Sequence, residues 1–305
     1  SLLTVLGIFI GVASVIWLLA ISVGISNKVQ EQIEELGRDN VIVRSVKPVT
    51  LTGNPNNFFL DYGLKRKDHE VIIETVPTIK GHVQIRELKG LVKYGTRDEM
   101  DSRLVGCTPE YDEAMRLTLK EGHFISPSDI DDEANHCILA HETARHLFPI
   151  GEPLGETVIV DEIGFVVVGV MQPRTAMAGI GGSLSSQDFN NDIYIPITTF
   201  WRRFGDVRYI RSSGSRSGEI QEISQVTYEI DRQENVMPTA DVIKATLDAR
   251  HENEDFAVVV PLELIEHARS MQVMFMAFMG LIAAISLVVG GIGIMNTMLA
   301  TVTER

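Results

Sequence analysis

The 305-residue chain holds only two cysteines and two tryptophans, and it has no surplus of positive charge: 27 Lys and Arg face 41 Asp and Glu, a formal net charge of -14. That balance excludes a basic nucleic-acid binder. No G-x-x-x-x-G-K-[ST] occurs, so the chain lacks the usual loop for cradling nucleotide phosphates. Two stretches lack charge altogether, Ser1–Asn27 and Ser270–Thr303. They explain a mean hydropathy of +0.10 in a chain with an ordinary 45% of hydrophobic residues and 22% charged. The order along the chain is apolar, acidic, apolar.

About 20 mostly apolar residues cross the hydrocarbon core of a bilayer. Leu2–Ile25 and Met271–Thr301 both exceed that, and the second has no polar face with which a soluble helix would meet water. Both are expected to span. Leu2–Ile25 shows neither the basic start nor the small-residue cleavage site of a secretory signal. Two spans put both termini on one side and the acidic region on the other, as one large domain or two small ones. The positive-inside rule does not orient so long a loop.

In the central region Asn40–Val46 (NVIVRSV) reads as a strand, followed by a polar loop over Lys47–Gly63 and a helix over Lys67–Thr75. Val83–Leu88 (VQIREL) and Leu91–Gly95 (LVKYG) are predicted to form a hairpin turning at Lys89-Gly90, with Arg103–Cys107 as the next strand. Ser126-Pro127-Ser128-Asp129 predicts a helix start, with Ser at the N-cap and Pro first in the helix. His136–Ala140, Glu156–Val170 and Asp192–Ile197 have the β-branched composition of strands. Asp241–Arg250 reads as a helix before the strand Phe256–Pro261, and Arg211–Gly218 as a loop or subdomain seam.

Several motifs have bland readings that outweigh the sharp ones. His141-Glu142-Thr143-Ala144-Arg145-His146 is one residue too long for a zinc-binding H-E-x-x-H, and Arg145 occupies the ligand position, so a plain helix is expected. Asp129, Asp131, Asp132 and Glu133 lack the spacing of a calcium loop and read as carboxylates favoured by a helix dipole. Cys107 and Cys137 both sit beside short strands, which favours buried thiols, with pairing in an oxidising compartment the alternative. Gly7-x-x-x-Gly11, Gly280-x-x-x-Ala284 and Ser286-x-x-x-Gly290 place small residues on helix faces that let another helix approach. The cluster Gly290, Gly291 and Gly293 adds close packing or a flexible point to the second span. Trp201, Arg202, Arg203, Arg208 and Arg211 form the one basic, aromatic stretch of an acidic domain. It reads either as a solvated face or as a docking patch for an adaptor or an acidic partner.

The first span, LLTVLGIFIGVASVI (Leu2–Ile16), is followed by an amphipathic Val29–Leu36 and by LGRDNVIV; the second is IAAISLVVGGIGIMNTMLATVTER (Ile282–Arg305). Between them stand VGCTPEY (Val105–Tyr111), KEGHFISPSD (Lys120–Asp129), LGETVIV, FVVVGV, DIYIPITT and ARHENEDFAV (Ala249–Val258). In this order they resemble the MacB-type ABC transporter permeases, with an FtsX-like first and second transmembrane helix around a MacB-like periplasmic core domain. The likeness covers essentially the whole chain. It departs from the family's pattern at the link Gly37-Arg38-Asp39-Asn40 and in a longer loop over Lys47–Gly63. The chain stops at Arg305, where the family continues into a coupling segment and two more spans, which implies a fragment.

The resemblance implies an α+β extracytoplasmic domain of two mixed α/β subdomains flanked by two transmembrane α-helices. Residues 1–27 would be the first helix, 28–270 the periplasmic core with an inserted subdomain over about 101–222, and 271–303 the second helix. Glu304 and Arg305 would begin a cytoplasmic coupling segment. The implied function is that of a permease subunit of an exporter in the bacterial cytoplasmic membrane. It would be coupled to an ATP-binding domain or subunit that carries ATP and Mg, with no cofactor in this chain. A homodimer or heterodimer of permeases and a periplasmic adaptor are the implied partners, besides the lipid bilayer. The alternative is an FtsX-like regulator that passes the same ATPase motion to a periplasmic enzyme or sensor. A membrane-anchored enzyme is disfavoured, since no nucleophile–base pair or metal spacing is visible; a pocket joining His136, His141 and an acid would revive it.

Overall fold

The computed structural model describes residues 37, 39–48, 59–95, 99–173, 189–212 and 215–303, with six further positions between 9 and 24. Two compact units divide the chain, one over 35–261 and one made of 1–34 with 262–305.

The first unit is built on a ten-stranded sheet. Its strands are β1 (Asn40–Ser45), β3 (Ile79–Lys93), β4 (Met100–Cys107), β5 (Leu119–Gly122), β6 (His136–Leu139), β7 (Thr157–Val160), β8 (Ile163–Met171), β9 (Asp192–Pro196), β12 (Gln225–Ile230) and β13 (Phe256–Val259). A second, three-stranded sheet holds β2 (Phe59–Asp61), β10 (Val207–Ser212) and β11 (Ser215–Ile220) in the order β10-β11-β2. The helices are α1 (Arg66–Thr75), α2 (Tyr111–Ala114), α3 (Pro127–Asp131), α4 (His141–Leu147), α5 (Ile197–Phe204), α6 (Gln233–Asp248) and α7 (Pro261–Thr303).

β3 is the strand the two halves share. Its first half pairs β12 and its second half pairs β4, while Val92 and Lys93 pair β7. β4 continues to β9, β9 to β6, β6 to β8 and β8 to β7, so six strands close a ring. Alternation of side chains along each strand divides the apolar residues between two cores. Val92, Leu104, Leu139, Val158, Phe165 and Ile193 belong to a cluster that draws on all six ring strands. Their sequence neighbours Val105, Ile138 and Tyr194 belong to another, with Tyr111 and Phe124. Beyond β3, α6 packs on β1 and β12 and touches α1.

The expected hairpin at Lys89-Gly90 is not a turn: β3 runs through it unbroken for 15 residues. Gly90 is needed for close approach instead, because a Cβ there would lie 2.6 Å from Leu104 and 2.7 Å from Asp161. The expected loop at Arg211–Gly218 contains paired strand residues, with Tyr209 opposite Gly218. Gly218 lets the ring of Phe59 lie across the backbone, where a Cβ would meet it at 2.4 Å. α6 begins eight residues earlier than expected. Pro238 reads locally as a breaker, yet it costs the helix only one backbone bond, and the buried Val236, Ala240, Ile243 and Leu247 outweigh it. The start of α3 is as expected: Ser126 and Asp129 form a capping box with Pro127 in the first turn. Of the four carboxylates thought to serve that helix start, only Asp129 lies in the first turn; the helix ends at Asp131.

α7 is one continuous helix of 43 residues. Among the described residues no helix is long and apolar enough to cross a membrane. Several side chains of α7 lie outside the described set, whereas its full sequence has no Asp, Glu, Lys or Arg from Ser270 to Thr303.

Gly106 sits on β4 against the Phe200 ring, which a Cβ would approach to 2.6 Å. Gly106→Ala is therefore expected to lower stability by about 1–3 kcal/mol, the usual range for overpacking a core. Gly164→Ala, where the Cβ meets only Thr157 at 3.4 Å, should cost far less. Denaturant midpoints of the two variants in detergent check the difference.

Candidate functional site

The chain enters the sheet at Asn40 on β1 and leaves it at Val259 on β13. These strands are antiparallel neighbours, with Ile42 opposite Val259 and Ser45 opposite Phe256. Both ways through therefore lie side by side at one end of the sheet. The inward turn is held by Gly37, whose φ of +83° suits glycine and where a Cβ would strike the Asn40 side chain at 2.4 Å. The Asp39 carbonyl accepts from the Ile230 amide at 2.8 Å, fastening the turn to the end of β12.

At the other end of the same two strands a buried polar lock braces β13. Arg250 and His251 follow just past the end of α6 at Asp248. Arg250 Nε donates to Asp68 Oδ1 at 2.6 Å, and His251 Nε2 lies 3.0 Å from Asp68 Oδ2. His251 Nδ1 lies 2.7 Å from Asp255 Oδ1, and Asp255 Oδ2 accepts from the Gly63 amide at 2.8 Å. Both ring nitrogens face carboxylates, an arrangement in which both donate only as imidazolium. Burial works to raise the Asp68 pKa, but Arg250, the Lys65 amide and His251 hold it below the ordinary value. The lock ties α1, α6, β13 and the turn after β2 together across as many as 192 residues of sequence.

A second buried pair anchors the ring. Arg103 Nε donates to Asp192 Oδ1 at 2.9 Å, its Nη2 bonds the other oxygen, and Nη1 reaches Glu87 at 3.3 Å. Tyr194 donates to Asp192 at 3.2 Å. Burial lowers the Arg103 pKa, yet the bonds and charge of Asp192 raise it overall, so the guanidinium stays charged. On α1, the His69 ring lies tilted against that of His82 with ring centres 4.6 Å apart, and His69 Nδ1 lies 3.1 Å from the Tyr228 hydroxyl. Burial, with the neighbouring His82, pushes the His69 pKa down to about 4.

The basic, aromatic stretch is spread over two places. On α5, Trp201 donates through Nε1 to the Glu222 carbonyl at 3.1 Å and carries the Arg66 guanidinium over its ring, 4.4 Å from the centre. Arg202 pairs with Glu133, and Arg203 donates to Asn135 at 3.0 Å. Arg208 is exposed on β10. Arg211 also lies on β10, with its side chain outside the described set. Gly280, Ala284, Ser286, Gly290, Gly291 and Gly293 lie on α7, the side chain of Ser286 outside the described set. A Cβ at Gly280 or Gly291 would meet nothing within 4 Å. Gly7, Gly11, Glu304 and Arg305 lie outside the described residues.

No catalytic grouping forms among the described residues. Asp129 lies 2.7 Å from His136 Nδ1, but Ser126 Oγ donates to Asp129 and not to the imidazole. His141 starts α4, where Glu142 pairs with Arg145. Among the described residues no three His, Cys, Asp or Glu side chains converge as metal ligands. A cleft of about 80 Å³ beside Met171, Phe189 and Tyr194 holds a few waters at most. Cys107 and Cys137 are buried free thiols. β9 lies between their strands, which puts them about 10 Å apart, beyond disulfide reach.

Residues 1–246 match the family described as the MacB-like periplasmic core domain. The chain belongs to that family. The macrolide export ATP-binding/permease protein MacB of Marinobacter nauticus is 33% identical over 310 residues, 99% of this chain and 43% of that protein. The pyoverdine export ATP-binding/permease protein PvdT of Pseudomonas aeruginosa is 27% identical over 303 residues, 99% of this chain and 42% of that one. The chain thus spans less than half the length of these curated relatives. The crystal structure of the periplasmic region of MacB from Actinobacillus actinomycetemcomitans superposes with a TM-score of 0.57 at 19% identity, covering 79% of this chain and 98% of that one. The extracellular domain of the ABC-type transporter YknZ from Gram-positive bacteria follows at 0.52 and 17%, covering 72% and 99%. At such identities the likeness is one of fold. As a MacB-like core domain, the unit over 35–261 carries its distinctive polar lock in the motif ARHENEDFAV, which contains Arg250, His251 and Asp255. Asp68, its buried hub, lies in the first turn of α1, and its partners Arg250 and His251 stand 182 and 183 residues further along the chain.

Asp68→Asn would leave Arg250 and His251 without their anion and is expected to cost about 3–5 kcal/mol, as for other broken buried pairs. Thermal unfolding measures the loss. In the parent the contribution of Asp68 is present above pH about 4 and fades as pH falls through its lowered folded pKa. His69 acts at milder acidity. Between pH 6.5 and about 4 the unfolded chain takes up a proton that the folded His69 refuses, so stability falls across that window as pH drops. His69→Gln should flatten that part of a plot of melting temperature against pH.

Proposed function

We propose that the chain is the anchored extracytoplasmic part of a MacB-like ABC exporter in a bacterial cytoplasmic membrane. Its two terminal helices carry motion from a cytoplasmic ATPase to the folded domain. The observation that carries this reading is the pairing of β1 with β13: the strand the chain enters by and the strand it leaves by are hydrogen-bonded neighbours. Displacement of two helices would reach the domain through one stiff ribbon, not through two independent tethers. The polar lock at the far end of that ribbon would pass the movement into α1 and α6, and β3 would pass it on to the six-stranded ring.

The charge-free ends support the placement. Ser270–Thr303 as helix is about 51 Å long at 1.5 Å per residue, against about 30 Å of hydrocarbon. A span over roughly Ile282–Thr303 therefore leaves about three turns of apolar helix above the bilayer. Small residues at Gly7, Gly11, Gly280, Ala284, Ser286, Gly290, Gly291 and Gly293 would let helices of a permease dimer approach closely. Glu304 and Arg305 would begin the cytoplasmic coupling segment, and an adaptor would dock at Arg208 and its neighbours on β10. The relatives' cargoes, a macrolide and a pyoverdine, share little chemistry, so the cargo class stays open in this proposal.

Single introduced cysteines test the topology, because Cys107 and Cys137 are buried. In intact spheroplasts an impermeant maleimide should label Ile150→Cys, at a position 89% exposed, and should label Arg305→Cys only after the membrane is breached. Labelling of both from outside would overturn the placement. Export is tested with the complete gene and its ATPase: cells should accumulate less macrolide than cells whose ATPase carries a substituted phosphate-binding lysine. Correct topology with unchanged accumulation of macrolide and siderophore alike would favour the regulator.

A further inference from the structure

Arg86 is a buried charge without a counter-charge. It stands on β3 and is 4% exposed. Its Nη1 makes every hydrogen bond the side chain has, donating to Gln221 Oε1, to the Glu87 carbonyl at 3.1 Å and to Ser224 Oγ at 3.2 Å. Nε is buried without a partner, and among the described residues Nη2 bonds nothing. The carboxylates whose charge reaches the guanidinium are Asp206 and Glu87, and both are held elsewhere. Asp206 lies in the fork of Arg66 at 3.0 and 2.6 Å, and Glu87 faces Arg103 at 3.3 Å. A second cation is close by. Arg208, exposed on β10, stands opposite Glu219 in the ladder, yet Glu219 is bonded to Lys47, and Arg208 forms no ion pair among the described residues. Burial above all lowers the Arg86 pKa, and the charge of Arg208 acts in the same sense, against Tyr62, Asp206 and Glu87. Tyr62 feels both guanidiniums. It is 8% exposed, and its hydroxyl reaches only Glu219, at 3.5 Å, the outer limit of a hydrogen bond.

We propose that Arg86, Arg208 and Tyr62 bind one chloride ion in the seam between the ten-stranded and the three-stranded sheet. Arginine is almost never buried unless it is paired, because an uncompensated charge away from water is costly. Here two like charges meet beside a phenol whose hydrogen is only loosely engaged, so the group has donors to spare and no acceptor of its own. An anion removes the repulsion and takes those donors at once. The ion is small and singly charged for two reasons. With Nε sealed, Arg86 cannot present the Nε–Nη2 edge that grips a carboxylate or phosphate bidentately, as Arg103 does with Asp192. A net charge of -14 also weighs more heavily against a dianion than against a monoanion. The three donors come from β3, from β10 and from the turn after β2, so one bound ion would fasten the small sheet to the large one. This inference does not rest on the proposed topology.

The test follows the full chain in detergent while chloride replaces isethionate at constant ionic strength, so that screening stays fixed. The melting temperature is expected to rise with chloride and level off, as for a ligand that binds only the folded state. The chloride NMR line should broaden over the same range. Arg208→Gln and Tyr62→Phe each remove one donor. In either variant the half-saturating chloride concentration should rise about tenfold or more, the worth of one hydrogen bond to a charged group. Arg208 is exposed, so its variant keeps the test open where Arg86→Gln fails to fold. Arg202→Gln, which removes an exposed arginine paired with Glu133, should match the parent. A melting temperature indifferent to chloride would overturn the proposal, as would equal half-saturation in the parent and Arg208→Gln. Saturation by phosphate with chloride inert would overturn the assignment to a single-atom ion.

Discussion

β3 constrains everything around it. β3 pairs with β12 along one half and with β4 along the other, the two ladders meeting at Ile85, so this one unbroken strand of 15 residues sets the relation of the two halves of the sheet. Gly90 lets this strand approach Leu104 and Asp161 without a break. The Asp161 amide and carboxylate both bond Leu91, pinning the turn between β7 and β8 onto the far end of β3. Ring closure follows, and with it a buried cluster fed from six strands.

Charge inside the domain supports the same rigidity. Isolated surface ion pairs contribute little, but Asp192 has no exposure at all and Asp68 only 3%. A carboxylate so placed is tolerable only with a near-complete set of donors, and each has one. The result is geometric specificity: Arg103 joins β4 to β9 through its fork, and Asp68 joins α1 to the segment between α6 and β13. These are the places where a local displacement meets the least compliant contacts, which suits a domain proposed to transmit motion.

Much of the architecture was legible locally. The β-branched runs became β1, β6 and β9, the run Glu156–Val170 folds back at Asp161-Glu162 into the antiparallel pair β7 and β8, and the capping box at Ser126 placed α3 correctly. The failures share a cause. Lys89-Gly90 looks like a turn because glycine's usual role is conformational, whereas here it is steric and depends on Leu104 from another strand. Arg211–Gly218 looks like a loop because its residues are polar, yet β11 gains its partners from β10 and from the distant β2. Trp201 and its arginines, by contrast, read locally as a solvated face or a docking patch, and the structure adds their partners, Arg66, Glu133, Asn135 and Glu222, which lie between 21 and more than 130 residues away in sequence.

The sequence by itself determined the apolar–acidic–apolar division, the family, and the elements whose signals are short in range: caps, periodicity and charge-free helical runs. Tertiary structure decided which carboxylates are buried, which thiols lie on opposite sides of β9, and which strands stand beside each other where the chain enters and leaves. Period and composition act over one turn or one strand pair. Burial and strand neighbourhood are set here by contacts between segments 56 to 217 residues apart, from Ile138 with Tyr194 to Ile42 with Val259, and no local pattern encodes those.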